Sequence, residues 1–279
     1  MSKRIASLLL LCGVWLSGCS SQPSWEDEEL EVVSDRLLAD NVEAVWTVEE
    51  QDPTDAKHPA HIRIAMTKKD GTIIDRFDIT HEKLLHLIVV SKDLSYFNHI
   101  HPVYVGGGVF EIDNDFPSGG SYRMIADFKP TGGDPVTKMT WVSLQEEPDE
   151  TNPTVPVVPN GELVDTADGV QAKLNIERLG AKTDSTLTFE LSDAATGKPV
   201  ADLEPYLGAI GHVVVLSEDG SKYVHVHAED GQGAGPEAVF EASFPSQGIY
   251  TIWAQFQRKG RVFTMSYVVD VPREAATGK

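Results

Sequence analysis

The sequence is poor in cysteine. It has two cysteines, Cys12 and Cys19, and both lie at the start of the chain. A framework of disulfide bonds is therefore excluded for the folded part of the protein. A cysteine nucleophile and a blue-copper centre, which needs a cysteine ligand, are excluded for the same reason.

Basic residues and catalytic motifs are also scarce. The chain has 23 Lys and Arg against 43 Asp and Glu, which gives a formal net charge of −20 at pH 7. Such acidity disfavours binding to nucleic acid or to an anionic lipid surface. The sequence has no nucleophile elbow, no P-loop, no dinucleotide fingerprint and no carboxylate pair at a duplicated position. We therefore expect a protein that is not an enzyme and does not bind nucleic acid.

Apolar runs are short, including "IASLLLLCGVWL", which follows Met-Ser-Lys-Arg. This run is too short for a stable membrane span, and its basic start is typical of a secretory signal. The segment "LSGC" (16–19) resembles a bacterial lipobox, in which the cysteine carries the lipid. We predict a lipoprotein signal peptide over 1–18, a lipid such as palmitate on Cys19, and an acidic tether over 19–40. The protein would then be extracytoplasmic and lipid-anchored to the bacterial cell membrane. An uncleaved anchor or an ordinary signal peptide is the alternative.

Sustained helical periodicity is missing as well. Short β-rich runs recur between turn signals. They lie near 42–49, 60–67, 72–78, 85–91, 95–101, 109–113, 121–128 and 137–144, and then near 170–177, 185–191, 199–203, 211–217, 222–228, 237–242, 248–256 and 261–271. The pattern predicts an all-β protein of two tandem immunoglobulin-like β-sandwich domains.

The two halves of the chain repeat each other. When His86 is aligned with His212, "FPSGGSYRMIADF" (116–128) matches "FPSQGIYTIWAQF" (244–256). Further on, "VTKMTWVSL" (136–144) matches "VFTMSYVVD" (262–270), which pairs Met139 with Met265. We predict β-sandwich repeats over 41–147 and 157–273, joined by a linker rich in Pro and acidic residues over 148–156.

One histidine pattern occurs in both repeats. It reads His-x12-His-x-His in "HLIVVSKDLSYFNHIHP" (86–102) and in "HVVVLSEDGSKYVHVHA" (212–228). If Asp93-Leu94 and Asp219-Gly220 are the hairpin loops, the first histidine of each copy faces the third, and the second lies diagonally on the same face. A one-residue slip would move the first histidine to the other face. The spacing therefore predicts two sets of three imidazoles: His86, His99 and His101, and His212, His225 and His227.

Three imidazoles on one face suit copper, zinc or nickel. A soft thioether from Met139 or Met265 would favour Cu(I), so we expect copper rather than zinc. Whether each repeat binds one ion or one ion bridges both is open. His81 is a further candidate in the first repeat, while His58 and His61 are expected to be exposed loop histidines. The structural alternative is that all these histidines simply pack.

The segments "HEKLLHLIVVSKDLSYFNHIHP" and "YLGAIGHVVVLSEDGSKYVHVH", together with the two FPSxGxY strands, resemble YtkA-like proteins and their FixH-like relatives. These are secreted or lipid-anchored bacterial immunoglobulin-like domains, commonly associated with copper or other heavy metals. The resemblance covers most of 60–144 and 187–271. It implies that the same six histidines are the positions of interest.

Two functions follow as hypotheses. The first is a lipoprotein that binds a transition metal and buffers it, senses it or delivers it to a membrane protein. The second is a metal-free adhesion or assembly module whose repeats present a surface to a protein partner. The sequence leaves open whether the histidine face is buried or exposed.

Overall fold

The structure is a computed structural model that describes residues 36–52, 57–145 and 157–274. The predicted signal peptide, Cys19 as the predicted lipidation site, most of the tether (19–40) and the whole linker (148–156) lie outside the described residues. The described chain is built from β-strands, with one turn of 3-10 helix at Ala39–Asn41. Within it, no helix is long and apolar enough to cross a membrane.

The first repeat is a sandwich of two antiparallel sheets. One sheet has the order β1-β2-β7-β6; in the other, β8 lies between β4 and β9, β5 pairs with β4, and β3 pairs with the end of β8. Side chains such as Ile62, Leu87 and Phe110 fill the space between the sheets. The strands are β1 (Val42–Glu50), β2 (His58–Lys68), β3 (Phe77–Asp78), β4 (Leu85–Ser91), β5 (Phe97–Ile100), β6 (Val103–Gly106), β7 (Val109–Phe116), β8 (Gly120–Pro130) and β9 (Val136–Leu144).

The second repeat has the same plan. Its sheets have the orders β10-β11-β12-β16-β15 and β14-β13-β17-β18, around a separate apolar core. The fold class predicted from the sequence, two tandem immunoglobulin-like sandwiches, is confirmed. The strands are β10 (Val164–Ala167), β11 (Val170–Glu177), β12 (Asp184–Asp193), β13 (His212–Ser217), β14 (Tyr223–Val224), β15 (Val226–Ala228), β16 (Glu237–Ser243), β17 (Gly248–Arg258) and β18 (Arg261–Val271).

Several predicted strands were wrong in detail. No strand forms over 199–203, because the N–H of Val200 donates to Leu191 and that of Leu203 to Ala234, so the segment has no single neighbour. The predicted strand near 72–78 is reduced to β3, and the one near 222–228 is divided into β14 and β15. The short strands β6 and β10 were not predicted from the sequence.

The FPSxGxY motif forms the same corner in both repeats. The Tyr122 hydroxyl donates to the carbonyl oxygen of Ser118 (2.8 Å), and the Tyr250 hydroxyl donates to that of Ser246 (3.0 Å). The phenylalanine that opens the motif packs against the tyrosine ring in each copy. The motif is thus explained by the architecture, since a buried tyrosine needs a partner for its hydroxyl.

The two repeats pack through their β4 and β13 sheets. On β4, Leu87 and Val89 belong to the core of the first repeat, whereas Ile88 and Val90 face the second repeat. This double burial explains why "HLIVV" and "HVVVL" are continuous apolar runs rather than alternating ones. We call the contact the inter-repeat cluster; its buried members are Ile88, Val90, Leu94, Ile125, Val214, Leu216 and Trp253.

Candidate metal centre

The register of the two histidine hairpins is the one predicted. In the first hairpin Ile88 pairs with His99, and in the second Leu216 pairs with Tyr223. Each tip has one residue with positive φ, Leu94 (60°) or Gly220 (67°), where a two-residue type I′ loop would need two. The register survives this difference because the sheet faces are buried and specify it strongly.

The first hairpin gathers its three histidines. His86, His99 and His101 each offer one ligand nitrogen, and these atoms lie within 4.8 Å of one another. His86 and His99 are buried, with relative exposures of 3% and 8%, and His101 is half-buried. Three converging, largely buried imidazoles are a set of ligands that suits a transition metal.

The second hairpin does not gather its three. After Val224 the chain leaves β13 and crosses to the opposite sheet, where His227 pairs with Glu241. His225 lies at this crossing. In the described part of the chain, the triad of His86, His99 and His101 is the one group of His, Cys, Asp and Glu side chains close enough to hold an ion. The expectation that His212, His225 and His227 converge was therefore wrong, because the hairpin ends too early.

His212 instead joins the first set from across the interface. Its ring centroid lies 4.7 Å from that of His99 and 5.7 Å from that of His86, with the His86 and His212 planes only 7° apart. We call His86, His99, His101 and His212 the histidine cluster. The face of the hairpin that carries the histidines is thus buried between the repeats.

Hydrogen bonds fix the tautomers of two of these rings. His86 donates from Nε2 to the carbonyl oxygen of Thr80 (2.9 Å), so Nδ1 of the neutral ring carries a lone pair. His99 donates from Nδ1 to Oε1 of Gln255 (2.8 Å), which leaves a lone pair on Nε2. The amide of Gln255 is held in this orientation because its Nε2 donates to Thr264 (3.2 Å).

The two lone pairs face each other. Nδ1 of His86 and Nε2 of His99 lie 3.1 Å apart. A tetrahedral ion with metal–nitrogen bonds of about 2.0–2.1 Å would hold two ligand nitrogens about 3.3 Å apart. In addition, Nε2 of His101 is buried and has no hydrogen-bond partner among the described residues. Metal-binding histidines usually donate their other N–H to a carbonyl or carboxylate, as His86 and His99 do to oxygen acceptors here.

The histidine rings of this cluster are poor proton acceptors. Burial is the main factor that lowers the pKa of His99 to about 3 and that of His101 to about 4, and neighbouring imidazoles add to both shifts. Burial likewise lowers the pKa of His86 and moves that of His212 well below its usual value. The cluster is therefore neutral at pH 7, the form in which histidine binds metals.

The contact of His99 with Gln255 has an equivalent in the second repeat, where His225 contacts Asp127. Asp127 pairs with His86 and Gln255 pairs with His212, so Asp127 and Gln255 occupy the same position of the fold. Nδ1 of His225 lies 3.5 Å from Oδ2 of Asp127, and this side chain raises the pKa of His225. His225 remains exposed. The repeat thus has an ion pair where the first repeat has a buried imidazole and an amide.

The two methionines do not occupy equivalent positions. Met139 pairs with Ile125, whereas the equivalent Trp253 pairs with Ser266. The pairing of Met139 with Met265 was thus wrong by one residue, and a one-residue shift reverses the face of a strand. Met265 lies in the core of the second repeat, and Met139 packs at the edge of the inter-repeat cluster. Both have ordinary packing roles as the structure describes them.

The remaining histidines of the first repeat lie in different places. His81 is exposed beside the histidine cluster, with its ring 6.0 Å from that of His86 and 5.8 Å from that of His212. His58 and His61 lie on β2 rather than in a loop, and contact Gln145 and Asp113. The loop prediction for these two was wrong.

Three residues that contact the histidines, Thr80, Gln255 and Asp127, were not predicted from the sequence. Thr80 acts through its backbone, so its side chain gives no signal. Gln255 and Asp127 do give a signal in the sequence. Each is a polar residue between apolar ones near the end of a buried strand, in "IWAQF" and "MIADF". A polar side chain in such a place requires a partner.

Three solved structures match this chain at low identity and low TM-score. Invasin, a bacterial integrin-binding protein, matches with 12% identity and a TM-score of 0.24 over 82% of this chain, which spans 40% of that structure. Domains 4 and 5 of the S-layer protein SbsC match with 13% identity and a TM-score of 0.23, over 83% of this chain and 97% of that one. The D00-D0 domain of intimin matches with 13% identity and a TM-score of 0.22, over 80% of this chain and 100% of that one. These values say nothing about function.

A search of curated proteins finds no match. A family model described as "Domain of unknown function (DUF8832)" matches residues 39–146 and again residues 165–273. The YtkA-like resemblance is not shown by this match. Two matched segments together cover most of the sequence, one in each sandwich. This chain belongs to the DUF8832 family, and carries its domain twice.

Proposed function

We propose that this protein is an extracytoplasmic, lipid-anchored metal-binding protein whose site is formed by His86, His99 and His101 at the contact of the two repeats. It would buffer or sense a transition metal, or deliver it to a membrane protein. The observation that carries the proposal is the 3.1 Å distance between Nδ1 of His86 and Nε2 of His99, two buried ring nitrogens whose partner nitrogens in each ring bond to oxygen acceptors. A cation between them converts a repulsion into two bonds.

Copper is favoured over zinc for this site. Imidazole nitrogen is a good ligand for both ions, and the general order of affinities for such ligands places Cu²⁺ above Zn²⁺. The methionines give little support for Cu(I), since both pack among apolar side chains. The preference for copper therefore rests on the nitrogen ligands alone, with zinc as the alternative.

The location is inferred from the start of the chain. The apolar run and the "LSGC" segment support export and a lipid on Cys19. The resemblance to YtkA-like and FixH-like proteins agrees with an exported, metal-binding role. An anchored buffer would act near the membrane, where an oxidase or a transporter could receive the ion.

The test is a titration of the full chain in detergent with Cu(II) and with Zn(II), for the wild type and for His101→Leu. Nε2 of His101 is buried and the described part of the chain offers it no hydrogen-bond partner, so an apolar side chain there should not lower the stability of the metal-free protein. We expect one equivalent bound by the wild type and at least about a 100-fold weaker affinity in the variant, since one of three ligands is lost.

His61→Leu is the matched control, because His61 lies on the same repeat but forms its hydrogen bond with Asp113, away from the cluster. Its metal affinity should equal that of the wild type. If the wild type binds neither ion, or if His101→Leu binds as tightly as the wild type, the proposal is wrong. Thermal unfolding with and without metal gives a second readout, since a ligand of the native state raises stability.

A metal-free adhesion or assembly module is the second candidate. Strand β6 lies at the edge of its sheet and exposes Val103 and Val105, with relative exposures of 66% and 53%. Exposed apolar side chains on an edge strand favour pairing with another chain. Replacing both valines with lysine should abolish such pairing and leave metal binding unchanged, so the two candidates are separable.

A further inference from the structure

The proposed ion is enclosed, so it needs a route to the site. His86 and His99 are almost entirely buried. An ion that is to be exchanged with a partner must reach them along a path that offers replacement ligands for its water molecules. The candidate path begins at a cavity beside the histidine cluster.

This cavity has a volume of about 540 Å³. It is lined by His81 from the first repeat and, in the second repeat, by residues 203–205 and 208–210 and by the end of β15 with the loop after it, 227–234. Glu229 and Asp230 lie on its wall and are exposed to solvent, as is His227. Lysine and arginine do not occur among the described lining residues. The cavity therefore attracts cations, and its carboxylates and imidazoles are ligands for them.

His81 connects the cavity with the buried site. It is the lining residue whose ring also lies next to the rings of His86 and His212. A tight turn holds it there: Thr80 and Lys83 exchange two backbone hydrogen bonds, and His81 and Glu82 both have positive φ (46° and 65°). The same turn carries Thr80, whose carbonyl fixes the ring of His86.

The equivalent turn of the second repeat has the same backbone conformation but different residues. It places Leu207 and Gly208 at the two positions with positive φ, with Leu207 buried. Glycine adopts this backbone freely, whereas His81 and Glu82 are less common there. The first repeat thus keeps a polar, ligand-bearing turn in a conformation that favours other residues, at the point where the cavity meets the cluster.

We infer that this cavity is the access route for the metal ion, with His81 as the relay between Glu229, Asp230 and His227 outside and the buried histidines inside. The inference rests on the proposed function. An incoming divalent cation exchanges water for carboxylate and imidazole in the cavity, then passes by way of His81 to His86, His99 and His101. No bond other than metal–ligand bonds forms or breaks.

The test is the kinetics of Cu(II) binding to the full chain, followed by stopped-flow tryptophan fluorescence, and of Cu(II) removal by a chelator. Two variants alter the route in different ways. His81→Asn removes the relay but keeps a residue that tolerates positive φ. Ala234→Trp fills the cavity without changing any histidine. His58→Asn, on strand β2, is the control.

We expect both variants to slow binding and removal by about tenfold or more, an effect of the size that charged clefts have on association rates. Because both rates fall together, Ala234→Trp should leave the dissociation constant within about threefold of the wild type. The control should behave as the wild type. Unchanged rates in both variants, with binding intact, would overturn the access route and leave the proposed function standing. Failure of the wild type to bind Cu(II) would overturn both.

Discussion

The two repeats carry the same histidine spacing but use it differently. In the first repeat the hairpin continues to Ile100, so His99 stays in the β4 sheet and His101 follows it closely. In the second repeat the ladder ends at Val224, and the chain starts to pair with β16 at Val226. That change of sheet separates His225 and His227 from His212. The two repeats have the same histidine spacing, so the position at which the chain changes sheets decides whether the three histidines of a repeat come together.

The difference also shows in the residue that each second histidine contacts. His99 is buried against the neutral amide of Gln255, and His225 is exposed beside the carboxylate of Asp127. An amide suits a buried neutral imidazole, whereas a carboxylate suits a protonated one near solvent. The two repeats therefore favour opposite protonation states of their second histidine, and we expect the neutral rings around His99 to suit a metal ion better.

The largest expected effect comes from exchanging equivalent histidines for alanine. His99→Ala should weaken Cu(II) binding by roughly 1,000-fold or more, about 4 kcal/mol, because it removes a ligand. His225→Ala should change the affinity by less than about threefold. Isothermal titration of the two variants checks this, with circular dichroism to verify that both are folded. Equal losses in the two variants would mean that both repeats contribute ligands.

The pH dependence of stability separates the histidine cluster from His225 by sign. His99 and His101 have lowered pKa values in the folded state, about 3 and about 4, so the stability linked to them is present above pH 6.5 and is lost as the pH falls towards those values. His225 has a raised pKa and acts in the opposite direction. Since all four rings of the histidine cluster have lowered pKa values, metal-free protein should lose on the order of 2–4 kcal/mol between pH 7 and pH 4.5.

Urea unfolding at a series of pH values measures this loss. In His101→Leu the loss should be smaller, because one of the cluster rings that must stay neutral is gone. In His225→Ala it should be at least as large as in the wild type. A wild-type stability that is constant between pH 7 and pH 4.5 would contradict the buried, neutral cluster.

A smaller effect is expected from the residues that orient the histidines. Gln255→Leu removes the acceptor that holds the Nδ1–H of His99 and should weaken metal binding by about 10- to 100-fold. Asp127→Leu changes the equivalent position of the first repeat, but its partner is His225, so the metal affinity should stay close to the wild-type value. Metal titration distinguishes the two. A larger loss of metal affinity in Asp127→Leu than in Gln255→Leu would mean that the ion binds near His225 and not near His99.

The smallest expected effect concerns the hairpin tips. A Cβ atom at Gly220 would lie 2.8 Å from the side chain of Trp141 in the other repeat, and the φ of Gly220 is +67°. Gly220→Ala should therefore cost about 1–3 kcal/mol in unfolding experiments. Gly231→Ala is the control, because Gly231 also has positive φ but nothing within 4 Å. If both variants lose the same stability, the contact between the repeats at this tip contributes nothing.

Much of the fold was predictable from the sequence, and the reasons are local. Alternating and continuous apolar runs give the strands, and Asp93 and Asp219 mark the two hairpin turns. The FPSxGxY frame aligns the two repeats around Tyr122 and Tyr250. These signals depend on neighbours in sequence or on repetition, so they can be read without a structure.

The composition of the site was only partly predictable. The spacing identified His86, His99 and His101, but it gave the same weight to His225 and His227. The early change of sheet at His225 depends on pairing with β16, which is a tertiary contact with no local signature. The roles of His212 and Gln255 depend on how the repeats pack, and no pattern within one repeat records that.

The most direct test of the central claim is to locate the ion in crystals of the protein grown with Cu(II), or with Zn(II), from the anomalous signal of the metal. The account predicts one main site per chain, about 2.0–2.1 Å from Nδ1 of His86 and from Nε2 of His99, with His101 as a third ligand. An ion bound at His225 and His227, or no ordered ion near the inter-repeat contact in crystals of metal-loaded protein, would contradict it.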